Sequence, residues 1–149
     1  AEFINSGLET KVYYVSMGGF DTHASQPNRQ SRLLKTYAEA IDIFVNDLEA
    51  SNSFKDTLIV TFSEFGRRVQ QNAAAGTDHG AASNLFIIGK QLKKPGFYNA
   101  SPDLSNLDSN GDLKYSIDFR SIYATLLEHW LDANHSNILG KSFETLNFI

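Results

Sequence analysis

Lys11-Val12-Tyr13-Tyr14-Val15-Ser16 and Thr57-Leu58-Ile59-Val60-Thr61-Phe62 are two short apolar runs joined by one long amphipathic pattern. Both are β-branched and aromatic, the first is closed by Gly18-Gly19, and each reads as a strand buried on both faces. Between them, after Pro27, residues Leu33, Leu34, Tyr37, Ile41, Phe44, Val45 and Leu48 recur at three- and four-residue spacing. Arg32, Lys35, Glu39, Asp42 and Glu49 fall mostly elsewhere on the wheel. The pattern predicts a helix of roughly five to six turns with one face on a sheet, ended by Ser51-Asn52-Ser53. Strand, long helix, strand is a βαβ unit, so the two strands are expected to run parallel with a right-handed crossover.

Downstream, residues 64–83 are rich in Ala, Gly, Asn and Gln and read as a loop. Asn84-Leu85-Phe86-Ile87-Ile88-Gly89 is a third apolar run and a third expected strand. Residues 90–112, with Pro95, Gly96, Pro102 and Asn110-Gly111, are irregular. Asp118 or Ser116 can cap a final helix whose inner face is Phe119, Ile122, Tyr123, Leu126, Leu127 and Trp130. Residues 138–149 read as a short packed segment. No internal repeat and no linker divides the chain, so residues 1–149 read as a single α/β domain with a mostly parallel sheet and flanking helices. In such sheets ligands bind beyond the carboxyl ends of the strands.

Composition narrows the function classes. The 149 residues are 42% hydrophobic and 20% charged, which fits an ordinary globular domain. With a net charge of −4 and no run of Lys or Arg, the chain lacks a nucleic-acid footprint. A small anionic substrate stays compatible, because a bound dication reverses the local field. The absence of cysteine excludes disulfides and thiolate zinc sites, and fits an oxidising compartment as well as the cytosol. No apolar stretch is long enough to span a membrane, and Ala1 to Leu8 do not form a signal peptide. The chain starts without Met and is expected to be a fragment of a longer protein whose N-terminal part is its missing partner.

Chemistry concentrates in three places. Gly18-Gly19-Phe20-Asp21-Thr22-His23 follows the first expected strand, Ser63-Glu64-Phe65-Gly66-Arg67 follows the second, and Gly76-Thr77-Asp78-His79-Gly80 lies in the loop before the third. On the expected sheet, Asp21, His23, Glu64, Asp78 and His79 share one edge. Carboxylates and imidazoles beside glycines are what a divalent metal site needs. Asp21 and His23, two apart, project to one side if the segment is extended, although Asp21 can instead cap a turn while His23 bonds to backbone. Glu64 reads either as a ligand or as the ion-pair partner of Arg67 or Arg68. Arg67 reads as a fork for a phosphate or sulfate oxygen or as a solvated arginine; Arg68 reads as solvated. His79 is favoured as a ligand, and Asp78 either ligates or orients His79 from outside. Mixed oxygen and nitrogen donors suit zinc, manganese or iron better than calcium, with zinc or manganese foremost. His129 reads as a packing or surface residue, and His135 carries no assignment.

Two other signals fail on spacing. Asp108-Ser109-Asn110-Gly111-Asp112 lacks the Glu that closes a calcium loop and reads as a polar turn. Gly18-Gly19 lacks the longer glycine spacing and the following Lys of a phosphate-binding loop. No base–nucleophile pair can be argued for Ser16, Ser63 or Thr22, so the catalytic nucleophile is unknown. For a hydrolase, either a metal-activated water attacks or the nucleophile lies outside these residues.

The three motifs, in order and together with Asp118-Phe119-Arg120 and Tyr123, resemble the bacterial domain-of-unknown-function family 1501, over nearly the whole chain. That family is sulfatase-like, in the alkaline-phosphatase superfamily, and the likeness covers its C-terminal part. The resemblance implies a metal-dependent hydrolase of phosphate or sulfate esters, with one or two ions at the carboxyl end of a parallel sheet. By position, Asp21, His23 and His79 resemble the ligands of one ion, and Glu64 the carboxylate of a second site. It also implies a periplasmic or secreted protein. Three features differ from the superfamily pattern: Asp21 and His23 are two apart rather than four, Glu64-Phe65 stands where Asp-His is common, and the segment expected to bear the nucleophile is not among these residues. The second difference keeps open the alternative of a non-catalytic sulfatase-like binding or structural domain.

Overall fold

The computed structural model describes residues 1–149, which fall into two compact units: residues 1–90 with 103–114, and residues 91–102 with 115–149. In the first unit, a short helix α1 (Glu2–Asn5) precedes the long helix α2 (Gln26–Ala50). Pro27 lies in the first turn of α2, where its missing N–H is no loss and its fixed φ suits the helix. The predicted inner face is realised at Leu33, Tyr37, Ile41, Phe44, Val45 and Leu48, all at least half-buried, with Leu48 fully enclosed. Leu34 stays outside, 50% exposed. At 25 residues α2 is longer than the apolar pattern foretold, by about one turn. Asn52 in the left-handed region (φ 58°) turns the chain out of the helix.

The parallel sheet does not form. Strand β1 (Ile59–Thr61) pairs antiparallel with β4 (Phe86–Ile88), setting Ile59 opposite Ile88 and Thr61 opposite Phe86. Strand β2 (Gly66–Arg67) pairs antiparallel with β3 (His79–Gly80). These two-stranded ladders are the only sheets, so the chain is not an alkaline-phosphatase-like α/β fold. The expected first strand is the origin of the difference. Lys11–Ser16 has the composition of a buried strand, but no main-chain hydrogen bond joins it to β1. Val12 is 65%, Tyr14 76% and Val15 89% exposed. Strand composition records a fit to a pleated, half-buried surface, and without a ladder neighbour it cannot build one. Helix α2 still meets β1 at one point, where the Tyr37 hydroxyl lies 2.7 Å from Thr61 Oγ1.

The 103–114 segment of this unit holds the acidic turn. Asp108 Oδ1 accepts the N–H groups of Asn110 (2.8 Å) and Asp112 (2.9 Å), as a polar turn rather than a calcium loop. Arg68 is not free: its Nε donates to the buried Asp112 at 3.2 Å and its Nη2 to the Asn110 carbonyl at 2.7 Å.

In the second unit Asp118, and not Ser116, caps helix α3 (Phe119–Thr125), its Oδ1 accepting the Arg120 N–H at 2.9 Å. The Arg120 side chain grips both oxygens of the same carboxylate. Helix α3 widens into a π turn at Leu126–Trp130. The buried Thr125 hydroxyl donates to the Ser121 carbonyl and accepts the Leu146 N–H, both at 2.7 Å, which ties the C-terminal segment to the helix. Helix α4 (His135–Leu139) starts at Asn134, whose side chain accepts the Asn137 N–H, and ends at Gly140. Within α4, His135 Nδ1 pairs with Glu128 at 2.7 Å; His129 is exposed. No helix is long and apolar enough to cross a membrane.

Candidate metal centre

The antiparallel pairing of β2 with β3 sets His79 directly across from Arg67 and folds residues 68–78 into a closed loop. That loop is stitched along the segment that enters α2. Ser25 N–H donates to the Ala74 carbonyl at 3.0 Å, and Gln26 N–H to the Ala75 carbonyl at 2.9 Å. Asn72 Nδ2 donates to the His23 carbonyl at 2.9 Å, and Thr77 Oγ1 to Gln26 Oε1 at 3.0 Å. Two segments some fifty residues apart in sequence are thereby held side by side. Gly76 makes the approach possible, because a Cβ there would lie 2.2 Å from the His23 carbonyl carbon and 2.3 Å from its oxygen.

The result is a triangle of donor atoms. Asp21 Oδ1 lies 2.9 Å from His23 Nε2 and 2.9 Å from His79 Nε2, and the two imidazole nitrogens are 3.2 Å apart. For zinc bonds of about 2.0–2.1 Å, tetrahedral ligands stand about 3.3 Å from one another. The observed edges approach that figure, and the donor set of two imidazoles and one carboxylate suits a first-row transition metal. The three side chains are exposed, so the group is open to solvent on one side. Exposed ion pairs stabilise little by themselves. The convergence is therefore imposed by the backbone stitching and not by attraction among the side chains.

Proton placement sharpens the reading. His23 Nδ1 lies 3.3 Å from Asp78 Oδ1, and an ionised carboxylate only accepts, so the Nδ1 hydrogen points at Asp78. A neutral imidazole has one N–H, which leaves a lone pair on His23 Nε2 facing the Asp21 oxygen and His79 Nε2. At most one hydrogen, on His79, is then available among three electron-rich atoms. The remaining contact, between His23 Nε2 and Asp21 Oδ1, needs a cation or an added proton. The Asp21 carboxyl is held below the usual carboxylate range, first by its bond from His79, with the Arg67 charge adding a smaller pull. Asp78 is lowered too, by Asn72 first and by His23 second. Both groups are thus held as carboxylate anions.

Each sequence-predicted residue now has a place. Asp21, His23 and His79 come together. Asp78 stands behind the triangle, as the outer carboxylate that orients His23 and not His79. Glu64 is exposed at the bend before β2, outside the cluster, and pairs with neither arginine. Arg67 is only 20% exposed, and its guanidinium donates to the Thr77 carbonyl at 2.6 Å and the Phe20 carbonyl at 2.5 Å. A third, longer contact of 3.4 Å reaches Asp21. Arg67 thus clamps the two ligand-bearing segments, with most of its fork occupied.

Two contributors were not singled out from the sequence. Phe65 lies flat against His79, with ring centroids 3.6 Å apart and planes 12° from parallel. Asn72 closes the 72–76 turn, its Oδ1 accepting the Ala74 and Gly76 N–H groups at 3.0 Å each. The spacing Asn72-Ala-Ala-Ala-Gly76 is a turn signal of the kind Asn provides, though nothing in it marks a link to His23.

No curated protein and no solved structure matches this chain. One family model, described as a protein of unknown function (DUF1501), matches residues 7–141, a span that includes every residue of the centre. The chain belongs to the DUF1501 family.

Proposed function

We propose that Asp21, His23 and His79 bind one divalent transition metal, zinc or manganese, in support of hydrolysis of a small anionic ester. The observation that carries the reading is the meeting of two imidazole nitrogens and a carboxylate oxygen within 3.2 Å of one another, with Asp78 placed against the far nitrogen of His23. Three protein ligands with solvent access is the pattern of catalytic rather than structural zinc sites. Such an ion, when bound, supplies Lewis acidity and lowers the pKa of a coordinated water. The chain's own residues orient the site: Asp78 fixes His23, Phe65 backs His79, and Arg67 locks the Phe20–Asp21 and Thr77 backbones together. The sulfatase likeness of the motifs enters as part of this proposal and gives the ester its class, phosphate or sulfate; a periplasmic or secreted setting belongs to the same reading. Elemental analysis and zinc titration of the purified chain test the metal. About one equivalent is expected, lost in Asp21→Ala; no metal at all, or full content in Asp21→Ala, overturns the proposal.

A second reading, a non-catalytic metal-binding domain, is favoured by Glu64 standing outside the cluster and by the occupied fork of Arg67. A panel of phosphate and sulfate esters, assayed with added zinc and manganese, separates the two. Turnover that disappears in Asp21→Ala supports the hydrolase, and metal binding without turnover supports the binding domain.

A further inference from the structure

Asn72 uses every hydrogen-bonding position of its side-chain amide at once. Its Oδ1 accepts the Ala74 and Gly76 N–H groups at 3.0 Å each. Its Nδ2 donates to the His23 carbonyl at 2.9 Å and to Asp78 Oδ1 at 3.3 Å. The two accepted backbone hydrogens fix which end of the amide is oxygen, so the NH2 end must face His23 and Asp78. Asp78 Oδ1 is also the atom that takes the His23 Nδ1 hydrogen. One side chain therefore holds the His23 backbone, aims the carboxylate that selects the His23 tautomer, and shapes the turn in which Gly76 approaches His23.

We infer that Asn72 is the positioning residue of the metal centre, acting through Asp78 to present the His23 Nε2 lone pair toward Asp21. The inference rests on the metal-site reading above, but it makes a claim of its own about which residue governs His23. No other residue type of this size serves. Asp in place of Asn72 keeps the shape and the two accepted N–H bonds, yet turns the donor end into an acceptor facing a carbonyl and a carboxylate. Two acceptors at hydrogen-bond distance repel, and like charges that close disfavour the pair further. Asp78 must then swing away from His23.

The test compares wild type, Asn72→Asp and the swapped double variant Asn72→Asp/Asp78→Asn by zinc competition titration and by the visible spectrum of cobalt added as a probe. Loss of an outer-sphere partner of a metal-bound histidine weakens affinity by about 10- to 100-fold. That loss is expected in Asn72→Asp, with an altered cobalt spectrum. The swap restores a donor–acceptor pair between positions 72 and 78, but the atom it converts to a donor is also the one facing His23 Nδ1, so it is expected to recover none of the loss. Wild-type affinity and spectrum in Asn72→Asp overturn the inference, as does a swap that regains wild-type affinity. A measurement on the wild-type chain alone guards against misfolded variants: nitrogen-15 NMR of His23 is expected to show the hydrogen on Nδ1, with or without zinc. A hydrogen on Nε2 overturns the inference even if zinc binds. Failure of the wild type to bind zinc or cobalt, with the Nδ1 hydrogen present, instead removes the metal reading while leaving the role of Asn72 intact.

Discussion

Gly76→Ala is the most direct perturbation of the geometry that brings the ligands together. A Cβ at this position meets three backbone atoms: the His23 carbonyl carbon at 2.2 Å, its oxygen at 2.3 Å and the Ala24 nitrogen at 2.6 Å. Non-bonded heavy atoms settle near 3.5 Å, so one segment has to retreat by about 1.3 Å. None of the three atoms is the flexible end of a side chain, and the loop cannot absorb the shift locally. Residue 76 is three positions from His79, and His23 itself is what the methyl group strikes. Metal–ligand distances tolerate about 0.2 Å. A displacement several times larger removes one imidazole from the set, which is expected to weaken zinc binding at least about 100-fold, beyond the effect of losing an outer partner. Competition titration against a zinc chelator reads the affinity, and far-ultraviolet circular dichroism checks that α2 persists. Zinc affinity unchanged in folded Gly76→Ala refutes the reasoning, because the docked loop would then not be what unites His23 with His79.

Further outcomes follow from other contacts. Arg67→Met removes the donors to the Phe20 and Thr77 carbonyls and is expected to reduce both zinc affinity and the urea midpoint, with Arg67→Lys restoring only part, since an ammonium cannot span both acceptors. Leu48→Ala in α2 leaves a cavity at a fully enclosed position and is expected to destabilise the chain by about 2–5 kcal/mol in urea denaturation. The Asp118 carboxyl is pulled down to about 2 from 3.8, first by the Arg120 side chain and then by the Arg120 N–H, so its folded form binds a proton less readily than its unfolded form. Its contribution is fully present above about pH 4 and is lost as pH falls toward 2, so the acid sensitivity of unfolding in that window is expected to shrink in Asp118→Ala. The same variant loses the α3 cap at neutral pH, about 1 kcal/mol by thermal or urea unfolding.

Helix α2 was readable because its apolar spacing survives in the structure nearly residue for residue, from Leu33 to Leu48, and because Pro27 marks its start. The ends of β1 and β4 were readable within two residues, for apolar runs between turn signals have few other fates. Their direction was not. Strand polarity is a property of pairing, and the sequence of Lys11–Ser16 specifies a surface that wants a neighbour without naming one. The site was partly legible for a different reason. Asp21, His23 and His79 are uncommon residue types beside glycines, and chemistry alone marks them. Glu64 satisfied the same test and failed in space, since its place at the site followed from the expected sheet edge and that sheet does not exist. Asp78, expected either to ligate or to orient its neighbour His79, has its carboxylate turned by the loop toward His23 instead.

That a cluster predicted from a parallel sheet exists without one has a physical explanation. Its three donor side chains do not depend on strand order. His79 is placed by a two-residue ladder with Arg67, and Asp21 and His23 by hydrogen bonds from Arg67 and Asn72. Each of those bonds ends on backbone or on an exposed carboxylate, and none requires a strand before Gly18. The centre is therefore a property of two loops and their clamps. Removing the β1–β4 ladder by Val60→Pro is expected to lower the unfolding midpoint, because proline fits poorly in the middle of a paired strand. In the fraction of chains still folded, zinc affinity is expected to stay within a few-fold of wild type, since no ligand or clamp lies on β1 or β4. A loss comparable to that of Gly76→Ala would show instead that the ladder holds the ligands, and the two-loop account would have to be abandoned.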